Sequence, residues 1–157
     1  FLCRDSSGNL VCLKALRSKS NRKNMVLREA ENLGLANSVG VGPKLLGPDS
    51  EFNVVSMEYI EGTNFSEWLF ETPSKEILRA FIDELYKQAN ALDKIGLDHG
   101  QLAGSGKNIL VRNGLPVIID FEKASAGRKC HNVKVLDSFL FRSKDSAVVK
   151  KVKEILG

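Results

Sequence analysis

The stretch Lys107-Asn-Ile-Leu-Val-Arg-Asn-Gly-Leu-Pro-Val-Ile-Ile-Asp120-Phe-Glu122 decides the fold. Asn113-Gly114 between two apolar runs is the strongest short signal for a two-residue hairpin turn, so strands are expected over 108–112 and 115–121. Such a loop sets Lys107 opposite Asp120 and Asn108 opposite Ile119. Asn108 and Asp120 are then diagonal neighbours at the open end, roughly 5–8 Å apart across the strands. A carboxylate and an amide oxygen in that relation suit a hard cation such as Mg²⁺, which takes few protein ligands and fills its shell with water and phosphate. The alternative is structural: Asp120 pairs with Lys107, and Asn108 caps a loop.

Upstream of the hairpin lies Asp98-His-Gly-Gln101, in a loop after a long helix. That helix carries Leu78, Phe81, Ile82, Leu85, Ala89 and Leu92 at helical spacing, with Thr72-Pro73 as its expected cap and first residue and Gly96 as its stop. Further upstream, Glu61-Gly-Thr63 reads as a break between elements. Short strands are expected over 44–46 and 53–60. The N-terminal part reads as two strands, 1–4 and 10–16, around a Gly-containing loop, followed by a helix from about Ser20 to Gly40. At 100° per residue from Met25, the apolar stripe runs through Met25, Val26, Ala30, Leu33 and Ala36, and Glu29 falls inside it at about 40°. A carboxylate on a buried stripe is costly without a cation. Lys14, on the preceding strand, is the nearest candidate partner; the alternative is that Glu29 snorkels to the stripe's edge. Beyond Asn132 the chain reads as helical, with Ser143 the expected cap of a last helix ending near Leu156. Strands and helices follow one another in segregated order, an α+β pattern with a small sheet-rich part before a helical one.

Composition narrows the classes of function. The chain has 157 residues, 43% hydrophobic and 27% charged, so it can form a core, and 13 Gly with 4 Pro exclude collagen-like sequence. No apolar run approaches the roughly 18 residues of a membrane span. The net charge of +4 is unevenly placed: residues 1–44 carry +5, 45–98 carry −7 and 99–157 carry +6. Two basic segments around an acidic one favour a local anionic ligand over a uniform polyanion sheath. Cys3, Cys12 and Cys130 are odd in number and lack metal-type spacing, so a reduced, cytoplasmic protein is expected.

In chain order these residues resemble the protein-kinase-like fold. Val11-Cys-Leu-Lys14 is similar to the strand whose Lys grips the α- and β-phosphates of ATP, and Glu29 to that lysine's partner on the C helix. Val55-Ser-Met-Glu-Tyr-Ile60 resembles the hinge, with Met57 as gatekeeper and Glu58 to Ile60 offering backbone groups to adenine. Cys12 shares a strand face with Lys14 and so is expected in the adenine roof. The segment from His99 through Asn108 stands at the catalytic loop, and Asp120-Phe-Glu122 at the metal-binding acid. The resemblance is nearest to small atypical kinases: RIO-type kinases, the kinase of the KEOPS tRNA-modification complex, and archaeal predicted serine/threonine kinases.

That resemblance implies two lobes forming one domain, an N-lobe over 1–60 and a reduced C-lobe over 61–157. It implies ATP with Mg²⁺ or Mn²⁺ as cofactors, metal on Asn108 and Asp120, an unidentified protein substrate or partner complex, and RNA as a secondary partner. Three departures qualify it. Gln101 replaces the catalytic-loop acid, and an amide cannot take the acceptor hydroxyl's proton. Seven positions separate Gln101 from Asn108, against five in the ordinary kinase motif. No Gly-rich phosphate loop or first strand is read before Phe1. Asp98 is the candidate substitute base, Lys107 a candidate phosphate-neutralising cation, and Glu122 a candidate extra ligand oxygen. The implied function is a slow or specialised phosphotransferase; the alternative is an inactive, nucleotide-binding scaffold.

Overall fold

The computed structural model describes residues 1–15, 25–104 and 106–157. The expected helix start near Ser20 and the strand end at Leu16 lie outside them. Strands β1 (Leu2–Arg4) and β2 (Leu10–Ala15) pair antiparallel around a turn in which Asp5 accepts the amides of Ser7 and Asn9 at 2.9 and 2.8 Å. Helix α1 (Met25–Ser38) follows, then β3 (Leu45–Asp49) and β4 (Val54–Glu58). The first sheet has the order β1-β2-β4-β3 with antiparallel neighbours throughout. Its register puts Cys12 opposite Met57 and Lys14 opposite Val55.

Thr63, expected as the end of a break, instead forms β5 with Asn64 and adds an edge to the hairpin of β6 (Ile109–Arg112) and β7 (Leu115–Ile118). Gly62 permits this approach, because a side chain there would meet the Val111 carbonyl oxygen at 2.6 Å. Ile109 faces Ile118 and Arg112 faces Leu115, as a two-residue loop requires. Asn113 and Gly114 both have positive φ, 53° and 77°, the geometry of the hairpin turn.

Helix α2 (Phe65–Phe70) leads to α3 (Lys75–Lys94), the central helix. Every apolar position of its predicted stripe is buried, and Leu78, Phe81, Leu85, Ala89 and Leu92 have no exposed surface. Burying one such Leu or Phe contributes about 1.5–3 kcal/mol. The helix starts two residues later than Thr72-Pro73 predicts: Thr72 takes a φ of 58°, and Ser74 is the cap, accepting the Ile77 amide at 3.3 Å. The sequence ends with α4 (Asn132–Asp137), a π-helical turn over 138–142 and α5 (Ala147–Leu156). Ser146, not Ser143, caps α5. Phe65, Trp68, Phe81 and Phe139 pack ring on ring, with Phe65 stacked on Phe81 at a centroid distance of 5.3 Å. The buried side chains form one continuous cluster from Val26 and Val55 through Phe81 to Val152, so both sheets share a core. Among the described residues no helix is long and apolar enough to cross a membrane.

Candidate functional site

Three carboxylates converge on one lysine between the two sheets. Lys14 Nζ lies 2.7 Å from Glu29 Oε1, 2.6 Å from Asp120 Oδ1 and 3.3 Å from Glu122 Oε2. Each group reaches the site for a local reason. Alternation along β2 sends residues 12 and 14 to one side. Glu29 sits within the buried stripe of α1 and is only 2% exposed. Asp120 leaves the hairpin's alternation altogether: β7 ends at Ile118, and Asp120 takes a left-handed conformation, φ 65° and ψ 72°, before a 3₁₀ turn over Phe121–Lys123. For an ordinary residue that conformation costs about 1–2 kcal/mol, and Asp tolerates it comparatively well.

The electrostatics follow from burial and partners. Burial works against the Lys14 ammonium, yet its hydrogen bonds to Asp120 and Glu29 outweigh it and raise the lysine's pKa. Asp120 is also partly desolvated, but Lys14 holds its carboxyl below the ordinary range. Glu29 goes the other way: desolvation exceeds the help from Lys14, and its pKa rises. Its Oε2 is buried with no hydrogen-bond partner among the described residues. Protonating that oxygen would relieve the desolvation, in keeping with the direction of the shift.

The other sequence-predicted residues fall into two groups. Met57 on β4 is buried opposite Cys12, and Ile60 is buried just beyond the strand. The Glu58 carboxylate accepts from Arg112 at 2.7 Å and from the Lys44 amide at 3.1 Å, tying the first sheet to the hairpin. Desolvation opposes its charge, but Arg112 and the Lys44 amide hold its pKa below the ordinary value. The second group is the 98–108 loop. Asn108 Nδ2 donates to the Gln101 carbonyl at 2.7 Å, while the Ile119 amide donates to the Asn108 carbonyl at 2.9 Å. The Gln101 side chain and Lys107 are exposed. Asp120 pairs with Lys14 rather than with Lys107. Asp98 is engaged by other groups: its Oδ2 accepts from Arg128 Nε at 2.6 Å and its Oδ1 from the His131 amide at 3.2 Å.

His99 is fully buried and shapes this loop. The Gln101 amide donates to its Nδ1 at 3.3 Å, so Nδ1 is an acceptor and Nε2–H donates to the Ile119 carbonyl at 2.9 Å. The ring is therefore neutral and packs edge-on against Phe121, at a centroid distance of 5.0 Å. Desolvation lowers its pKa.

Four supporting residues escaped the sequence reading. Asn32 Nδ2 donates to the Ala124 carbonyl at 2.8 Å, clamping α1 to the turn that follows Asp120. Its wheel position, about 340°, borders the apolar stripe and is the one available signal. Asn132, 1% exposed, donates to Asp93 and the Leu97 carbonyl and accepts the His99 amide at 2.9 Å. With Arg128, these contacts join residues 30 or more positions apart, and no local pattern announces them.

Asp120 and Glu122 place carboxylate oxygens beside the Lys14 ammonium, and the Asn108 amide donates through its nitrogen. Oxygen donors of this kind could hold Mg²⁺ or Mn²⁺ with few protein ligands. No group of three or more His, Cys, Asp or Glu suited to a metal occurs among the described residues.

A small antiparallel sheet carrying α1 and the Lys14–Glu29 pair is compatible with the N-terminal part of a protein-kinase-like fold. No family model matches the chain. It is a partial homologue of KEOPS complex subunit Bud32 from Pyrococcus abyssi, 36% identical over 101 residues, 64% of this chain and 44% of that protein. The chain thus spans less than half the length of that relative. It is also 26% identical over 101 residues to the uncharacterized protein MJ1211 of Methanocaldococcus jannaschii, covering 64% of this chain and 84% of the relative. These similarities support a kinase-like family.

Proposed function

We propose that the chain is an atypical serine/threonine-kinase-like domain that binds ATP with Mg²⁺ or Mn²⁺ between segments 1–60 and 61–157. The observation that carries this reading is Lys14 held simultaneously by Glu29 from α1 and Asp120 from the hairpin. Glu29 orients Lys14 toward the α- and β-phosphates. Cys12, Met57, Glu58 and Ile60 border the adenine, and Asn108 and Asp120 hold the metal. The metal, when bound, neutralises phosphate charge, which is a large part of phosphoryl-transfer catalysis. The relative named as a KEOPS complex subunit motivates a protein partner, with RNA a secondary one.

One observation favours a second reading, a nucleotide-binding scaffold without transfer. Gln101 is no base, and both oxygens of Asp98 are engaged by Arg128 and His131. Transfer is slow at best on this geometry. The test is thermal stabilisation by ATP with and without Mg²⁺, run beside Lys14→Met. A metal-dependent shift lost in the variant supports the reading; no shift in either protein overturns it. Radiolabel transfer from γ-labelled ATP that survives Asp98→Asn identifies a slow kinase, and its complete absence beside intact ATP binding identifies the scaffold.

A further inference from the structure

A cleft of about 1100 Å³ is lined by Asn108 but by neither Lys14, Glu29 nor Asp120. Its walls come from the 98–108 loop, Arg128, α4 and the π-helical turn. Its size is slightly above the usual range of small-ligand clefts, so a small molecule would fill only part of it.

The charge of its lining is strongly one-sided. Lys107, Arg128 and Lys134 are its cations, and Asp98 is its one carboxylate. Asp98 is already consumed: Arg128 and the His131 amide occupy its two oxygens, and it is 7% exposed. Lys107 and Lys134 are exposed and make no ion pair among the described residues. Arg128 is a built element rather than a loose surface arginine. Its Nε binds Asp98 and its Nη2 donates to the Lys123 carbonyl at 2.8 Å, which leaves Nη1 for an incoming acceptor. Gly100, at φ 78°, lets the loop backbone pass against this guanidinium; a side chain there would strike it. Leu102, Val135 and Phe139 add apolar surface to the same cleft.

We propose that this cleft binds a small phosphate-bearing molecule, its phosphate held by Arg128, Lys134 and Lys107 and its less polar part set against Phe139 and Val135. The binding stands independently of nucleotide at Lys14; only the further role of this molecule as the partner of a nucleotide beside Asn108 rests on that reading. A fixed guanidinium flanked by mobile ammonium groups is the usual chemistry of phosphate capture.

Inorganic pyrophosphate in the presence of EDTA is the probe, followed by calorimetry. Without metal it is excluded from Lys14, where three carboxylates already surround one cation. The expected result is saturable binding weakened at least tenfold by Lys134→Glu and unchanged within twofold by Lys14→Met, with thermal melts showing both variants folded. No saturable binding, or equal affinity in the Lys134→Glu protein, overturns the proposal. So does loss of binding in Lys14→Met alone. A single-stranded RNA that depends on Lys134 and is not displaced by pyrophosphate reassigns the face to nucleic acid and overturns it as well. Loss of the ATP–Mg²⁺ shift with pyrophosphate binding intact fails the nucleotide reading and leaves this one standing.

Discussion

Lys14 and Asp120 stand 106 positions apart in the chain, yet their side chains meet at 2.6 Å. One comes from the middle of the first sheet and the other from just past the end of the second. The contact exists because Asp120 abandons the strand it follows: in extended conformation, alternation would have kept it within the hairpin. A single left-handed residue therefore moves a carboxylate from one sheet to the cation of another.

Removing that cation strands Glu29. Lys14→Met leaves both Glu29 oxygens buried without a partner among the described residues, since Oε2 already lacks one there. The expected loss is about 1–3 kcal/mol in urea unfolding. Glu29→Gln in the same background recovers part of it, because a neutral amide removes the buried charge. A double variant less stable than Lys14→Met alone would contradict the assignment.

His99 makes stability fall in mild acid. Its folded pKa lies below the ordinary 6.5, so the unfolded chain binds a proton more readily. Its contribution is fully present above pH 6.5 and is lost as pH falls from there through the folded value. A protonated Nδ1 would also confront the Gln101 amide that now donates to it. Glu29, whose folded pKa is raised, acts in the opposite sense: its charging erodes stability as pH rises from the ordinary 4.5 through the folded value. The His99 part is isolated by comparison with His99→Gln, whose denaturation midpoint should vary less between pH 7.5 and 5.5 than the parent's.

Gly100 and Gly8 both have positive φ, 78° and 84°, but only Gly100 is crowded, with the Lys123 carbonyl 2.7 Å from the position of a Cβ. Gly8→Ala should cost about 1 kcal/mol through backbone strain alone. Gly100→Ala should cost more and should displace Arg128, read as a thermal midpoint lower than that of Gly8→Ala. Equal midpoints would show that the loop does not press on the guanidinium.

Asn132 bridges Asp93, Leu97 and His99 with both ends of its amide. Asn132→Leu leaves the His99 amide buried and unpaired, worth about 1–3 kcal/mol on its own. Asn132→Asp should be no better tolerated, because it puts a second carboxylate beside Asp93. Chemical denaturation of the two variants against the parent checks both expectations.

Local pattern accounts for much of this fold. Asn113-Gly114 set the hairpin register, and the α3 stripe named every buried apolar position from Leu78 to Leu92. Glu29 stood out because charge on an apolar stripe requires an explanation. What stayed illegible is of another kind. Thr72-Pro73 carries good cap chemistry, but Ser74 offers the same chemistry two residues later, and the chain uses that one. Thr63-Asn64 became a strand only because a distant hairpin needed an edge. Asn32, Asp93, Arg128 and Asn132 act through partners 30 to 92 positions away, so their sequence neighbourhoods hold no trace of the role. Asp98 shows the same limit: its residue type fits a base, and only Arg128 and His131, 30 or more positions away, reveal that its oxygens are taken.

The clamp from Asn32 to Ala124 also orders events during synthesis. Helix α1 has no acid in its first turn and no base in its last to support it alone. Its anchor emerges 92 residues later. The first sheet pairs within residues 2–58 alone, but α1 gains this clamp only once Ala124 has been made. A chain released before Ala124 should hold α1 less firmly than the full chain, because a contact of this span carries a larger loop-closure cost than a local one.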